Sequence, residues 1–176
     1  MKIFMSLILM VLLGLVFSPL AAHSGEYRMV THSKDFEKMK ELVGIWEGHA
    51  DMGKGMETMK ATYELTSAGN AILERLFVGL PHEMVTVYHD SNEKLTMTHY
   101  CSLGNQPHME LKNPGENNMV FVLSEKNHGL SSVNETHMHA LKISFDSKDS
   151  ITHIWSLYEK GAIKSDVVIK LARTKF

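Results

Sequence analysis

The stretch Lys60-Ala61-Thr62-Tyr63-Glu64-Leu65-Thr66 decides the fold. Ala61, Tyr63 and Leu65 alternate with Lys60, Thr62 and Glu64, a period of two that suits a strand with one face in a core and the other in water. Outward from it the same period returns. It recurs at residues 45–50 on the N-terminal side, and then at 71–78, 83–89, 94–101, 118–124, 136–145, 151–158 and 163–172. Turn chemistry separates these runs, at Ser67-Ala68-Gly69-Asn70, Gly79-Leu80-Pro81, Asp90-Ser91-Asn92, Asn113-Pro114-Gly115, Asn127-His128-Gly129 and Lys160-Gly161. The pattern predicts nine strands joined by short connections. An open meander of that size leaves two unpaired edges, and closure removes them. The expectation is an all-β protein, a single antiparallel up-and-down β-barrel, with room for side chains or for one small ligand.

Before the first strand, residues 33–43 read as a short amphipathic helix. Ser33 is the expected N-cap, Phe36, Met39 and Leu42 share a face, and Gly44 stops the helix. Earlier still, residues 1–24 have the build of a signal peptide. Lys2 is the basic start, residues 3–17 are an unbroken apolar run, and Ala21, Ala22 and Ser24 are the small residues of a cleavage region. The run is shorter than a spanning helix needs, and no second one follows. An exported protein, periplasmic or secreted, is therefore expected, with one barrel domain at 25–176 and no membrane span after cleavage.

Composition narrows the partners. The 18 basic and 20 acidic side chains nearly balance and form no block of one sign, so the basic stripe of a nucleic-acid binder is missing. Cys101 is the only cysteine, so no disulfide forms within the chain and packing must hold the fold. The 13 methionines favour an adaptable apolar lining. The 11 histidines bring ligands and titration near neutrality.

The run Gly44-Ile45-Trp46-Glu47-Gly48 resembles the Gly-x-Trp signature on the first strand of lipocalins. The resemblance implies that Trp46 closes one end of a barrel while a basic residue of the last strand, Arg173, lies across it. Gly44, Trp46 and Arg173 are thus expected to be structural. The same run is similar to the Gly-x-Trp-x-Gly-x-Gly motif of nitrobindin-like haem-binding barrels, with Ala50 where that motif ends in Gly. Residues 81–89 (Pro-His-Glu-Met-Val-Thr-Val-Tyr-His), with Thr98-His99-Tyr100-Cys101 and Gly104-Asn105-Gln106-Pro107, are similar to a family of secreted bacterial proteins of lipocalin-like fold without assigned activity.

Strand alternation also sorts the polar residues. It places His99 and Cys101 inside with Leu95 and Met97, His137 and His139 on the face of Leu141, and His153 on the face of Trp155. Imidazoles from separate strands can meet at a transition metal or at haem iron. His137, His139 and His153 are the metal candidates. The haem-barrel resemblance implies His153 as the axial ligand. Equally, these rings can line a wet cavity end or bond one another. Asn105 and Gln106 sit where a loop at the barrel mouth could bind a ligand, or could satisfy only its own backbone. His99 and Cys101, two apart on one strand, lie about 7 Å from each other, too far for a nucleophile and its base. Glu74 and Glu83 lie in strands among apolar neighbours, and each either faces water or is buried with a partner, which Arg75, His82 or a tyrosine could supply. No catalytic residue is assigned. The leading expectation is a non-enzymatic protein holding a small apolar or amphipathic molecule. A haem or metal barrel is the alternative, and an enzyme of unassigned class stays open.

Overall fold

A computed structural model describes residues 30–53 and 55–174, and the expected signal peptide lies outside them. Among the described residues one helix, α1 (Lys34–Lys40), precedes ten strands: β1 (Gly44–Asp51), β2 (Met56–Thr66), β3 (Ala71–Leu76), β4 (Met84–Ser91), β5 (Lys94–Tyr100), β6 (His108–Pro114), β7 (Asn118–Leu123), β8 (His137–Ser147), β9 (Ser150–Glu159) and β10 (Ala162–Arg173). Each strand pairs antiparallel with the next, and β1 pairs with β10, so the sheet closes into an up-and-down barrel. The fold class is the expected one.

Two local expectations are corrected. The sequence pattern leaves residues 102–117 as connection, whereas the structure has β6 there, with Met109 and Leu111 alternating with His108, Glu110 and Lys112. Its outer face is rich in ionisable residues and Pro114 ends it, and those features masked the period. Leu65, expected inside, is exposed, because β2 runs past the barrel rim there.

Helix α1 covers one end of the barrel. The Ser33 hydroxyl accepts from the Phe36 amide and donates to Asp90 of β4, so the cap also ties the helix to the sheet. Phe36, Met39 and Leu42 are almost wholly buried. Each such burial stabilises by about 1.5–3 kcal/mol. Trp46 is fully buried beneath them, and its indole N–H donates to the Leu42 carbonyl at 2.8 Å. The Arg173 guanidinium lies 4.2 Å from the Trp46 ring centre and donates to the carbonyls of Val43 and Glu41. Gly44, at φ +140°, lets it pass, since a Cβ there would meet Arg173 Nη1 at 2.8 Å. At the seam, a Cβ on Gly48 would run into the Lys170 carbonyl of β10, so the seam needs glycine at that point.

The other end carries the β1–β2, β3–β4, β5–β6, β7–β8 and β9–β10 connections and has no helix over it among the described residues. Between the two ends the interior is filled by large side chains, among them Tyr63, Ile72, Tyr88, Met97 and Phe121.

Candidate functional site

The middle of the barrel holds a polar network inside an apolar wall. Glu74 of β3 is fully buried. Its two carboxylate oxygens accept from Tyr63 of β2 at 2.6 Å and Tyr88 of β4 at 3.0 Å. Register explains the meeting: Tyr63 lies directly opposite Glu74, and Tyr88 comes from the next strand on the same inward face. His153 of β9 closes the group, with Nε2 at 3.0 Å from the Tyr63 hydroxyl. The Tyr63 proton is committed to Glu74, so His153 donates from Nε2 and its Nδ1 carries a lone pair. That Nδ1 is buried without a hydrogen-bond partner, 3.8 Å from a Glu74 oxygen. Burial pushes both phenols well above their usual range, and the neighbouring Glu74 charge adds to it. Burial also lowers the His153 pKa, against the opposing pull of Glu74. The partner Glu74 required is thus a pair of tyrosines. Sequence reasoning allowed a tyrosine there but could not name Tyr63 or Tyr88, because register decides which phenols arrive.

These residues do not fit an axial haem ligand as they stand. Nε2 of His153 is engaged by Tyr63, and Nδ1 faces Glu74. An iron would have to displace one of those groups inside a close-packed core.

One layer nearer the open end, His99 of β5 and Trp155 of β9 pack with ring centres 4.3 Å apart. The Thr86 hydroxyl bonds His99 Nδ1 at 2.9 Å. His99 and Trp155 help line an apolar pocket with Leu76, Phe77, Met84 and Met138. Its free volume is about 10 Å³, close to the space one water occupies. The Trp155 indole N–H is buried with no acceptor. Cys101 belongs to the same buried cluster, and burial pushes its thiol pKa up, which opposes thiolate formation.

Strand β8 departs from simple alternation. The register against β9 shifts between Met138 and Ala140, a bulge with His139 as the extra residue. Leu141 faces inward opposite Trp155, but across the bulge the sense reverses. Met138 takes the inward place, lining the pocket, and His137 pairs with outward Tyr158. His137 and His139 therefore sit on the outer wall, stacked against Tyr158, rather than in the interior. The bulge was invisible to a strict period of two. The structure does not bring His137 and His139 together with His153, and no group of three or more His, Cys, Asp or Glu among the described residues is arranged to hold a metal ion.

Asn105 and Gln106 line a polar groove of about 310 Å³ between the β5–β6 and β7–β8 loops. Asn105 Nδ2 donates to the Thr136 carbonyl at 2.8 Å and to Glu135 at 3.2 Å, stapling one loop to the other. Gln106 donates to the Gly104 carbonyl of its own turn. Glu83 is a surface residue, paired with Arg75 at 2.9 Å.

Burial holds His99 down to about pKa 4. An imidazole that stays neutral in the fold, yet takes a proton near pH 6.5 when unfolded, stabilises fully above pH 6.5, and that stability is lost as pH falls toward 4. We expect urea unfolding free energy to drop by about 2 kcal/mol between pH 7.5 and 5 from His99 alone. His99→Phe should flatten the slope. An equally steep slope in that variant would assign the effect elsewhere.

One solved structure supports the fold. The crystal structure of Rv2717c from M. tuberculosis superposes with a TM-score of 0.55 at 11% identity, over 82% of this chain and all of that one. A protein of unknown function from the DUF3598 family of Nostoc punctiforme gives a TM-score of 0.42 at 15% identity, over 77% of this chain and 48% of that chain. No protein-family model and no curated protein matches the sequence. The chain is a closed ten-stranded antiparallel β-barrel whose fold resembles that of Rv2717c.

Proposed function

We propose that the chain is an exported binding protein that takes one small, mainly apolar molecule into the open end of its barrel, over Trp155 and His99. The observation that carries this reading is the Trp155 indole N–H, buried without an acceptor in an otherwise apolar pocket. A buried donor left unpaired costs roughly 1–3 kcal/mol. A ligand with one acceptor atom on an apolar body would remove that cost while covering Phe77, Met84 and Met138. The pocket is nearly full of its own side chains, so entry requires methionines to change rotamer, which their unbranched chains allow. The two methionines and Phe77 come from different elements, so the pocket can widen without moving a strand.

Export rests on the residue 1–24 pattern. The binding reading also accounts for the lack of a low-pKa nucleophile at Cys101, the one thiol of the chain.

Native mass spectrometry of protein purified from its own host tests both parts. The expected result is a polypeptide shortened at the N-terminus carrying one small molecule. Met84→Trp, which overfills the pocket, should release that molecule at a cost of about 1–3 kcal/mol in unfolding free energy. A wild-type mass with nothing bound, and no saturable uptake of a fluorescent fatty acid or long-chain alcohol added to it, would sink the reading.

A further inference from the structure

The outer wall at the open end carries a group that the interior pocket does not use. His137 Nε2 and His139 Nδ1 lie 3.1 Å apart. They are brought to one side of the sheet by the β8 bulge, and Tyr158 stacks against both rings. His137 Nδ1 is 2.7 Å from the Glu135 carbonyl, which only accepts, so that nitrogen carries the proton and Nε2 carries a lone pair. This is the arrangement by which a carbonyl fixes the tautomer and aim of a metal-binding imidazole. Glu135 is itself held, because Asn105 donates to its carboxylate and to the next carbonyl.

We propose that His137 and His139 form a two-imidazole site for a first-row divalent metal, with Cu²⁺ its tightest occupant. Two nitrogens each about 2.0–2.1 Å from a metal and roughly at right angles lie about 3 Å from one another, the spacing at which the hydrogen bond holds this pair, so a small turn of the two rings aims both nitrogens at one ion. His137 is fully buried and His139 half-buried, so the site reaches solvent on the His139 side; binding breaks the bond between the rings and moves the His139 proton from Nδ1 to Nε2. No third His, Cys, Asp or Glu among the described residues completes a cage. Water then fills the remaining positions, a tetragonal nitrogen and oxygen set that favours Cu²⁺ over Ni²⁺ and Zn²⁺.

The test is titration of the purified protein with copper sulfate, read by calorimetry and by electron paramagnetic resonance. Wild type should bind one Cu²⁺ with nitrogen hyperfine structure from two imidazoles. His139→Ala should weaken binding at least tenfold and reduce that structure to one nitrogen, with an unchanged unfolding midpoint. His137→Ala should do the same. If that buried substitution unfolds the chain, His139→Ala alone decides. Replacing surface histidines elsewhere, such as His49→Ala with His82→Ala, should leave the tight site intact. Copper bound by His139→Ala with wild-type affinity and spectrum, or no stoichiometric copper in wild type, overturns the proposal.

Discussion

Glu74→Ala should cost about 3–5 kcal/mol of unfolding free energy, roughly a third to a half of the stability of an average domain. The carboxylate is the acceptor for both Tyr63 and Tyr88, and the Tyr63 hydroxyl is in turn the acceptor for His153. Removing it strands two phenol O–H groups in a sealed interior and leaves a void as well. The physical claim is that the loss comes from stranded partners rather than from the worth of the network itself. A second variant separates the two. Glu74→Leu combined with Tyr63→Phe and Tyr88→Phe replaces the acceptor and both donors by apolar groups of similar shape. That triple variant should recover most of the loss, because an apolar core of equal volume is often as stable as a buried charged one. Urea or guanidinium unfolding followed by circular dichroism reads both. A Glu74→Ala protein within about 1 kcal/mol of wild type would mean that water reaches the barrel centre and repairs the network.

Trp46→Ala should be nearly as damaging, about 3–5 kcal/mol, for a different reason. Here the loss is of a keystone between three elements. The indole fills the space between β1 and α1, its N–H satisfies the Leu42 carbonyl, and its face carries the Arg173 guanidinium. Arg173 in turn satisfies carbonyls just after the last helical turn. Without the ring the guanidinium loses its seat, a further 0.5–1 kcal/mol or so. Hydrogen exchange should therefore speed up over residues 33–43 more than over the β3–β4 hairpin. Trp46→Phe should restore the packing but not the bond to Leu42. Uniform exchange across the whole barrel in Trp46→Ala would show that α1 and the cylinder unfold as one unit.

The architecture was legible because its cause is local. Alternation at Ala61, Tyr63 and at Leu95, Met97, His99 records which side of each strand is dry, and the turns between are spelled by Gly, Asn and Pro. What resisted reading was non-local or broke the rule. Strand β6 carries its period under three ionisable residues on one face. The bulge at His139 reverses inside and outside for the residues before it, so a period counted back from Leu141 sends both histidines to the wrong wall. The Glu74 cluster joins β2, β3, β4 and β9, and nothing within one strand says which inward side chains face each other across the lumen. His153 could be placed inside from Ile151 and Trp155, but its partners could not be named.

The seam where β1 meets β10 joins the two ends of the folded chain. Val43 and Arg173 touch although 130 residues separate them in sequence. Until β10 reaches β1, the polypeptide is a sheet with both margins unpaired, unable to lock. Acquisition of the native state then waits on this long-range closure, in the slow regime typical of topologies built from distant pairings. A chaperone that shields the margins of β1 and β10 until they meet works with this topology, and loss of β10 leaves an adhesive edge in place of a ring.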